Sequence, residues 1–273
     1  IDDGNLGIIN ITGQNIYVGN SNTFDSHTKT RDNADNEGNA FLYLTSRGTI
    51  IIGDTNTFNG YGGGTTGADR NNGGDGNIII KASTNLDIGV NNNFNGYGGP
   101  GETNAPIETA DDPGNGNIEI DSLNLTIGRD NTFNSYGGLG GGSNGIGSGT
   151  LDINASKITV SNSTFFVSKG DNTKNYGNVK IIVDNGFLSN IKFDVIGNSS
   201  YGATGSIFTL NSTNDLNLTN VNISVYAMVT GVGSNFLLSG KNVIVNNSLL
   251  YGYTFDTTPS FEINTSGTLD VVG

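Results

Sequence analysis

The side chains best equipped for chemistry are carboxylates. Glu119 and Asp152 occupy matching places in two successive apolar-x-apolar segments, Ile118-Glu119-Ile120 and Leu151-Asp152-Ile153, with Asp121 beside them. Segments lying side by side would bring the two acids to about 5 Å, the separation a retaining glycosidase uses. The corresponding chemistry is cleavage of a polysaccharide. An eliminating site also wants a basic residue beside its acids, and Arg31, Arg47, Arg70 and Arg129 all fall at loop or turn positions. Catalysis is therefore not expected here, and the carboxylates read as a solvated, mildly repulsive row.

Further acids gather in the Gly-rich stretches: Asp32, Asp35 and Glu37, then Asp69 and Asp75, then Glu102, Glu108, Asp111 and Asp112. Neighbouring loops could pool Asp69, Asp75, Asp111 and Asp112 with Asn carbonyls around Ca²⁺, which takes six to eight oxygens. The spacing follows neither an EF-hand nor the Ca²⁺-binding nonapeptide repeat, so solubilising acids are the expectation and no other cofactor is implied. Tyr61, Tyr97 and Tyr136 recur in matching Tyr-Gly-Gly loops. Such a row could stack on sugar rings or on a neighbouring subunit. The preferred reading is a structural ladder closing a turn, with Gly supplying positive φ. His27 is the only histidine, which leaves no His-based metal site or triad to build.

The elements that must position these residues follow from a repeat. The unit is apolar-x-apolar, a short polar turn, then apolar-x-apolar, as in Leu42-Tyr43-Leu44 before Ile50-Ile51-Ile52 and Ile78-Ile79-Ile80 before Leu86-Asp87-Ile88. The first apolar positions fall at 9, 42, 78, 118, 151, roughly 181, 208, 236 and 261. Around Val179 to Phe193 the register is ambiguous. Period-two alternation marks strands with one buried face, and its recurrence at loop-dependent intervals marks a solenoid. A third element is Asn22-Thr23-Phe24, Asn56-Thr57-Phe58, Asn92-Asn93-Phe94 and Asn131-Thr132-Phe133, with Ser163-Thr164-Phe165 as a shorter version. Stacking would turn Asn22, Asn56, Asn92 and Asn131 into an amide ladder, and Phe24, Phe58, Phe94 and Phe133 into an aromatic one.

Composition agrees. The 273 residues include 43 Gly, no Cys and no Trp, and only 14% are charged. Asn and Gly disfavour helix interiors, so an all-β chain is expected. The net charge of -13 opposes nucleic-acid and anionic-membrane binding. The missing thiols exclude Cys metal sites, thiol catalysis and disulfides. No apolar run is long enough for membrane insertion by a helix. Sequons such as Asn10-Ile11-Thr12 and Asn124-Leu125-Thr126 are as frequent as chance allows in so Asn-rich a chain.

The runs Gly76-Asn77-Ile78 to Gly89 and Gly116-Asn117-Ile118 to Gly128 resemble the filamentous-haemagglutinin class of two-partner-secreted exoproteins and related autotransporter passengers. That resemblance implies a right-handed β-helix, export across an outer membrane, and a role in adhesion or contact. The chain starts mid-pattern and is expected to be a mature or interior piece.

The expectation is thus an all-β, right-handed parallel β-helix of about nine coils forming one domain over 1–273. Long Gly/Asn/acid loops mark 1–150, and shorter ones 151–273. Its expected role is a secreted or cell-surface, non-catalytic scaffold or adhesin that binds cells, glycans or neighbouring subunits. The alternatives are an extracellular filament self-associating by end-to-end stacking, and a polysaccharide-active lyase or hydrolase.

Overall fold

The computed structural model describes residues 6–29, 38–64, 72–101, 113–138, 147–162, 164–168, 177–197, 205–227, 233–254 and 258–273. Among these residues every regular element is a strand and no helix occurs, so none is long and apolar enough to cross a membrane.

The strands form two sheets. The larger has 14 strands, nine of which lie side by side in chain order. These are Gly7–Gly13, Ala40–Ser46, Gly76–Ile88, Gly116–Ile127, Gly149–Ser161, Gly177–Ser189, Ile207–Ser212, Asn235–Gly240 and Ser260–Thr265. Ile16–Val18, Ile50–Ile52, Asp215–Thr219, Asn242–Asn246 and Leu269–Val272 complete it. The smaller sheet has eight strands, again in chain order: Thr23–His27, Thr57–Tyr61, Asn93–Tyr97, Thr132–Tyr136, Thr164–Ser168, Lys192–Gly197, Asn222–Ala227 and Leu249–Thr254. Every pairing is parallel. Stacked parallel sheets whose spatial order equals chain order are consistent with a β-solenoid.

Alternation decides which face is buried. Leu42, Leu44, Ile78, Ile80, Ile120, Leu151 and Ile153 point inward from the larger sheet and are fully buried, as are Phe58, Phe94 and Phe133 from the smaller. Tyr43, Ile79, Glu119 and Asp152, one residue out of phase, pair with one another on the outer face. A one-residue slip would exchange the two sets, so the pattern itself pins the register.

Between the sheets the chain turns through one left-handed residue per repeat. Ser21, Thr55, Asn91, Asp130, Asn162, Asn190, Asn220 and Asn247 have φ between 45° and 62°. Asn and Asp tolerate this region because their short polar side chains bond locally. Asn220 Nδ2 donates to Asn190 Oδ1 at 3.0 Å, and Asn247 Nδ2 to Asn220 Oδ1 at 2.6 Å.

The structure amends the sequence reading at two places. Gly76–Ile88, Gly116–Ile127, Gly149–Ser161 and Gly177–Ser189 are single strands of 12 or 13 residues, where two strands separated by a turn are expected. Small or polar residues at the joint let the ladder continue through it, with a register shift only between Ala82 and Asn85. The ambiguous repeat also resolves: Val179, not Ile181, pairs with Leu151, and Gly186 takes the inward place held by Ile158 and Leu216 in the adjoining strands. A Cβ on Gly186 would lie 2.9 Å from Leu216 Cδ1, so the neighbour fills the space the missing side chain leaves.

Candidate functional site

The expected ladders form. Phe24, Phe58, Phe94 and Phe133 stack with centroid separations of 5.0, 4.8 and 4.7 Å and planes within 5° of parallel. Asn56 Oδ1 accepts from Asn22 N and Nδ2 at 2.8 and 3.0 Å, and Asn92 Oδ1 from Asn56 N and Nδ2 at 2.8 and 3.1 Å. Asn131 Oδ1 accepts from Asn92 N at 2.9 Å, and Asn131 Nδ2 turns back to the Gly89 and Gly128 carbonyls at 2.7 and 2.8 Å. Only Asn92 Nδ2 among these amides is buried without a partner. Thr164–Ser168 aligns Phe165 with Phe133; the Phe165 side chain and Ser163 lie outside the described residues.

Tyr61, Tyr97 and Tyr136 do form a row, but on strands rather than loops: each is the last residue of its smaller-sheet strand. The row begins at His27, whose strand partner is Tyr61. The rings are stacked at 5.0 and 4.7 Å, with planes 5° and 17° apart. Neighbouring rings therefore occupy the faces that a sugar would need. Each hydroxyl donates to the Asn two residues earlier, Asn59, Asn95 or Asn134, at 3.3 to 3.5 Å. Those Asn bond along the stack in turn, Asn95 Nδ2 to Asn59 Oδ1 at 2.9 Å and Asn134 Nδ2 to Asn95 Oδ1 at 2.8 Å. Burial pushes all three phenols above their usual range, with Asp25 adding to the effect at Tyr61 and the flanking tyrosines at Tyr97.

The glycines beside this row have another function than the one expected. None of Gly60, Gly62, Gly96, Gly98, Gly99, Gly137 or Gly138 has a φ in the left-handed region between +20° and +160°. They are required because two backbone limbs run in contact: a Cβ on Gly99 would fall on the Gly63 carbonyl, and one on Gly114 on the Gly74 carbonyl. A continuous chain of backbone bonds crosses between the limbs. Gly63 donates to Gly38 at 3.0 Å, Gly74 to Gly63 at 2.9 Å, Gly99 to Gly74 at 2.8 Å, Gly114 to Gly99 at 2.9 Å and Gly138 to Gly114 at 2.8 Å. The sequence signal was the paired recurrence of Gly on both sides of each long loop.

Glu119 and Asp152 are cross-strand partners on the outer face of the larger sheet, as expected. Their neighbourhood differs from the expectation, because lysines supply the basic groups. Lys81 Nζ lies 2.5 Å from Glu119 Oε1 and 3.1 Å from Asp121 Oδ2, and Lys180 Nζ lies 3.8 Å from Asp152 Oδ2. Burial lifts the Asp152 carboxyl above its usual range; Lys180 opposes the shift, while Glu119 and Asp121 add to it. The Glu119 bond raises Lys81. Period-two spacing could have found Lys81, since it lies two residues after Ile79, the strand partner of Glu119.

Of the Ca²⁺ candidates, Asp69, Asp111 and Asp112 lie outside the described residues, as do Asp32, Asp35, Glu37, Glu102, Glu108, Arg31 and Arg70. Asp75 belongs to a second amide ladder. Its N–H donates to Asn39 Oδ1 at 2.7 Å, and its Oδ1 accepts from Asn115 N and Nδ2 at 2.7 and 3.2 Å. Asp54 does the same between Asn20 and Val90. Among the described residues no three His, Cys, Asp or Glu side chains converge as metal ligands. His27 is exposed, 3.5 Å from Asp25.

These features define a class: an all-β stack of parallel sheets held by Asn, Phe, Tyr and Gly ladders in register. No family model, curated protein or solved structure compared with the chain matches it. The likeness to filamentous-haemagglutinin exoproteins rests on the Gly-Asn-Ile-x-Ile and Leu-x-Ile-Gly segments alone.

Proposed function

We propose that the chain is a right-handed parallel β-helix of about nine coils that acts at the cell surface or beyond it as a non-catalytic scaffold or adhesin, binding cells, glycans or neighbouring subunits through its outer faces. One observation carries the reading: the polar groups of the repeated side chains bond to their own counterparts in the next repeat. Asn56 bonds to Asn92, Asn95 to Asn59, and Asn134 to Asn95. Residues engaged in this way stiffen a rod and leave little free for catalysis. The Glu119 and Asp152 carboxylates are likewise engaged by Lys81 and Lys180.

Two measurements test this. Small-angle scattering of the chain should give the cross-section of a thin rod. Incubation with a polysaccharide panel should give retention on surfaces or polymers with no new reducing ends or unsaturated products. Depolymerisation abolished by Glu119→Gln or Asp152→Asn would replace the scaffold with an enzyme.

A further inference from the structure

The outer face of the smaller sheet is one surface along the stack, but its aromatic groups are of two kinds. In the repeats of Tyr61, Tyr97 and Tyr136 the rings lie face to face. The column then passes through Ile196 and resumes at Tyr226 and Tyr253, with Tyr251 in the adjoining column. Here the rings are splayed. Tyr226 and Tyr251 are 5.6 Å apart with planes tilted by 56°, and Tyr226 and Tyr253 are 6.5 Å apart with planes tilted by 51°. The ring faces do not lie against one another, and on this edge strand of the smaller sheet Tyr251 and Tyr253 are 42% and 40% exposed beside Leu249 at 58%.

The surroundings select a ligand chemistry. Asn222 and Ser224 lie in register with Leu249 and Tyr251, and Ser224 Oγ donates to Asn222 Oδ1 at 3.3 Å. Ser224 is buried and its hydroxyl is engaged in holding Asn222, so the patch sets the half-buried Asn222 amide beside open aromatic faces. Its charged members, Lys192 and Asp194, form an ion pair at 2.5 Å and cancel. A pyranose ring needs this combination, since one face is lined by C–H groups and the rim by hydroxyls. Among the described residues the patch has no uncompensated cation for an anionic polymer, which the net charge of -13 would also repel.

The geometry points to Tyr226, Tyr251 and Tyr253 as a subsite for a neutral pyranose polysaccharide, with the Asn222 side-chain amide bonding its hydroxyls. This deepens the scaffold reading and rests on it: the Tyr61 row stiffens the rod, and the splayed cluster binds.

The test is affinity electrophoresis of the full chain through native gels containing hydroxyethyl cellulose, galactomannan or amylopectin, with polygalacturonate as the anionic comparison. Retardation by at least one neutral polymer is expected. Tyr251→Ala with Tyr253→Ala should weaken it at least about tenfold, the scale of lost aromatic contacts, while Tyr61→Phe with Tyr97→Phe leaves it unchanged. An unaltered circular-dichroism spectrum and melting midpoint would establish that the double alanine variant is folded. No retardation by any neutral polymer, or retardation that survives the double alanine change, overturns the subsite. So does sedimentation of a dimer that the same change dissociates, which would assign the face to a second copy. Retention on polygalacturonate alone sinks the subsite and leaves the scaffold standing, whereas depolymerisation sinks the scaffold.

Discussion

At the scale of single residues, the buried amides carry the most specific information. Asn56 is fully buried, accepts two bonds from Asn22 and gives two to Asn92. Asn56→Ala removes the acceptor for the Asn22 backbone N–H and one of the two donors to Asn92 Oδ1, which keeps the Asn56 backbone N–H. A buried polar group left unsatisfied costs about 1–3 kcal/mol, so the urea midpoint should fall accordingly. A midpoint equal to that of the parent would mean water replaces the amide. Asp152 is governed by a different balance. Its folded pKa is raised, chiefly by burial, from the ordinary 3.8. The folded state therefore holds this proton more tightly than the unfolded one. The associated stability is present below 3.8 and is lost as the pH rises through the folded pKa. Asp152→Asn cannot undergo that loss. Its midpoint should rise relative to the parent between about pH 3 and about pH 7, despite giving up the exposed Lys180 pair, which is worth little. An unchanged difference across that window would place the cause outside Asp152.

At the scale of elements, core volume passes from one sheet to the other. In the first repeats the smaller sheet supplies Phe58, Phe94 and Phe133 while the larger supplies Leu42, Ile78 and Ile118. After Phe193 the pattern reverses: Phe208 and Phe236 belong to the larger sheet, and Ile223 occupies the smaller. Phe193 and Phe208 meet edge to face at 5.1 Å and 70°, and the new column continues through Phe236 to Phe261 at 5.3 and 4.4 Å. A constant cross-section at native packing density requires this exchange, because a repeat has room for one large ring at this level. Ile223→Phe should therefore overpack its repeat and cost about 1–3 kcal/mol. Adding Phe208→Leu should return part of that loss, a coupling that a double-mutant cycle reads directly. Strict additivity would show that the two positions do not share volume.

At the scale of the whole molecule, most of the stack was legible because stacking repeats the same residue at the same place. The Ile-x-Ile pairs, Asn56 and Phe94 announce their register by recurrence. What was not legible had lost its repetition or depended on a neighbour. Gly186 hid a core position, because the side chain filling it belongs to Leu216. The openness of the Tyr61 row could not be judged, since a ring's exposure depends on the ring above it. The lysines beside Glu119 and Asp152 were passed over because Lys81 lies 38 residues from Glu119 and Lys180 lies 28 from Asp152 in the chain, and only strand pairing joins them. The same one-dimensional build predicts how stability is distributed. Each repeat touches its neighbours, so a central repeat is held on two sides and an outer one on a single side. Ile78, Ile80, Ile120 and Ile153 are fully buried, whereas Ile9, Ile11 and Ile263 at equivalent levels are partly exposed, and Leu269–Val272 is exposed throughout. Native-state hydrogen exchange of a polypeptide limited to residues 1–273 should find the amides of Gly116–Ile127 and Gly149–Ser161 opening only with global unfolding, while those of Gly7–Gly13 and Leu269–Val272 open first at a small fraction of that free energy. Exchange at one common free energy from the first strand to the last would mean that the stack melts as a single unit, and that contacts reaching beyond adjacent repeats hold it together.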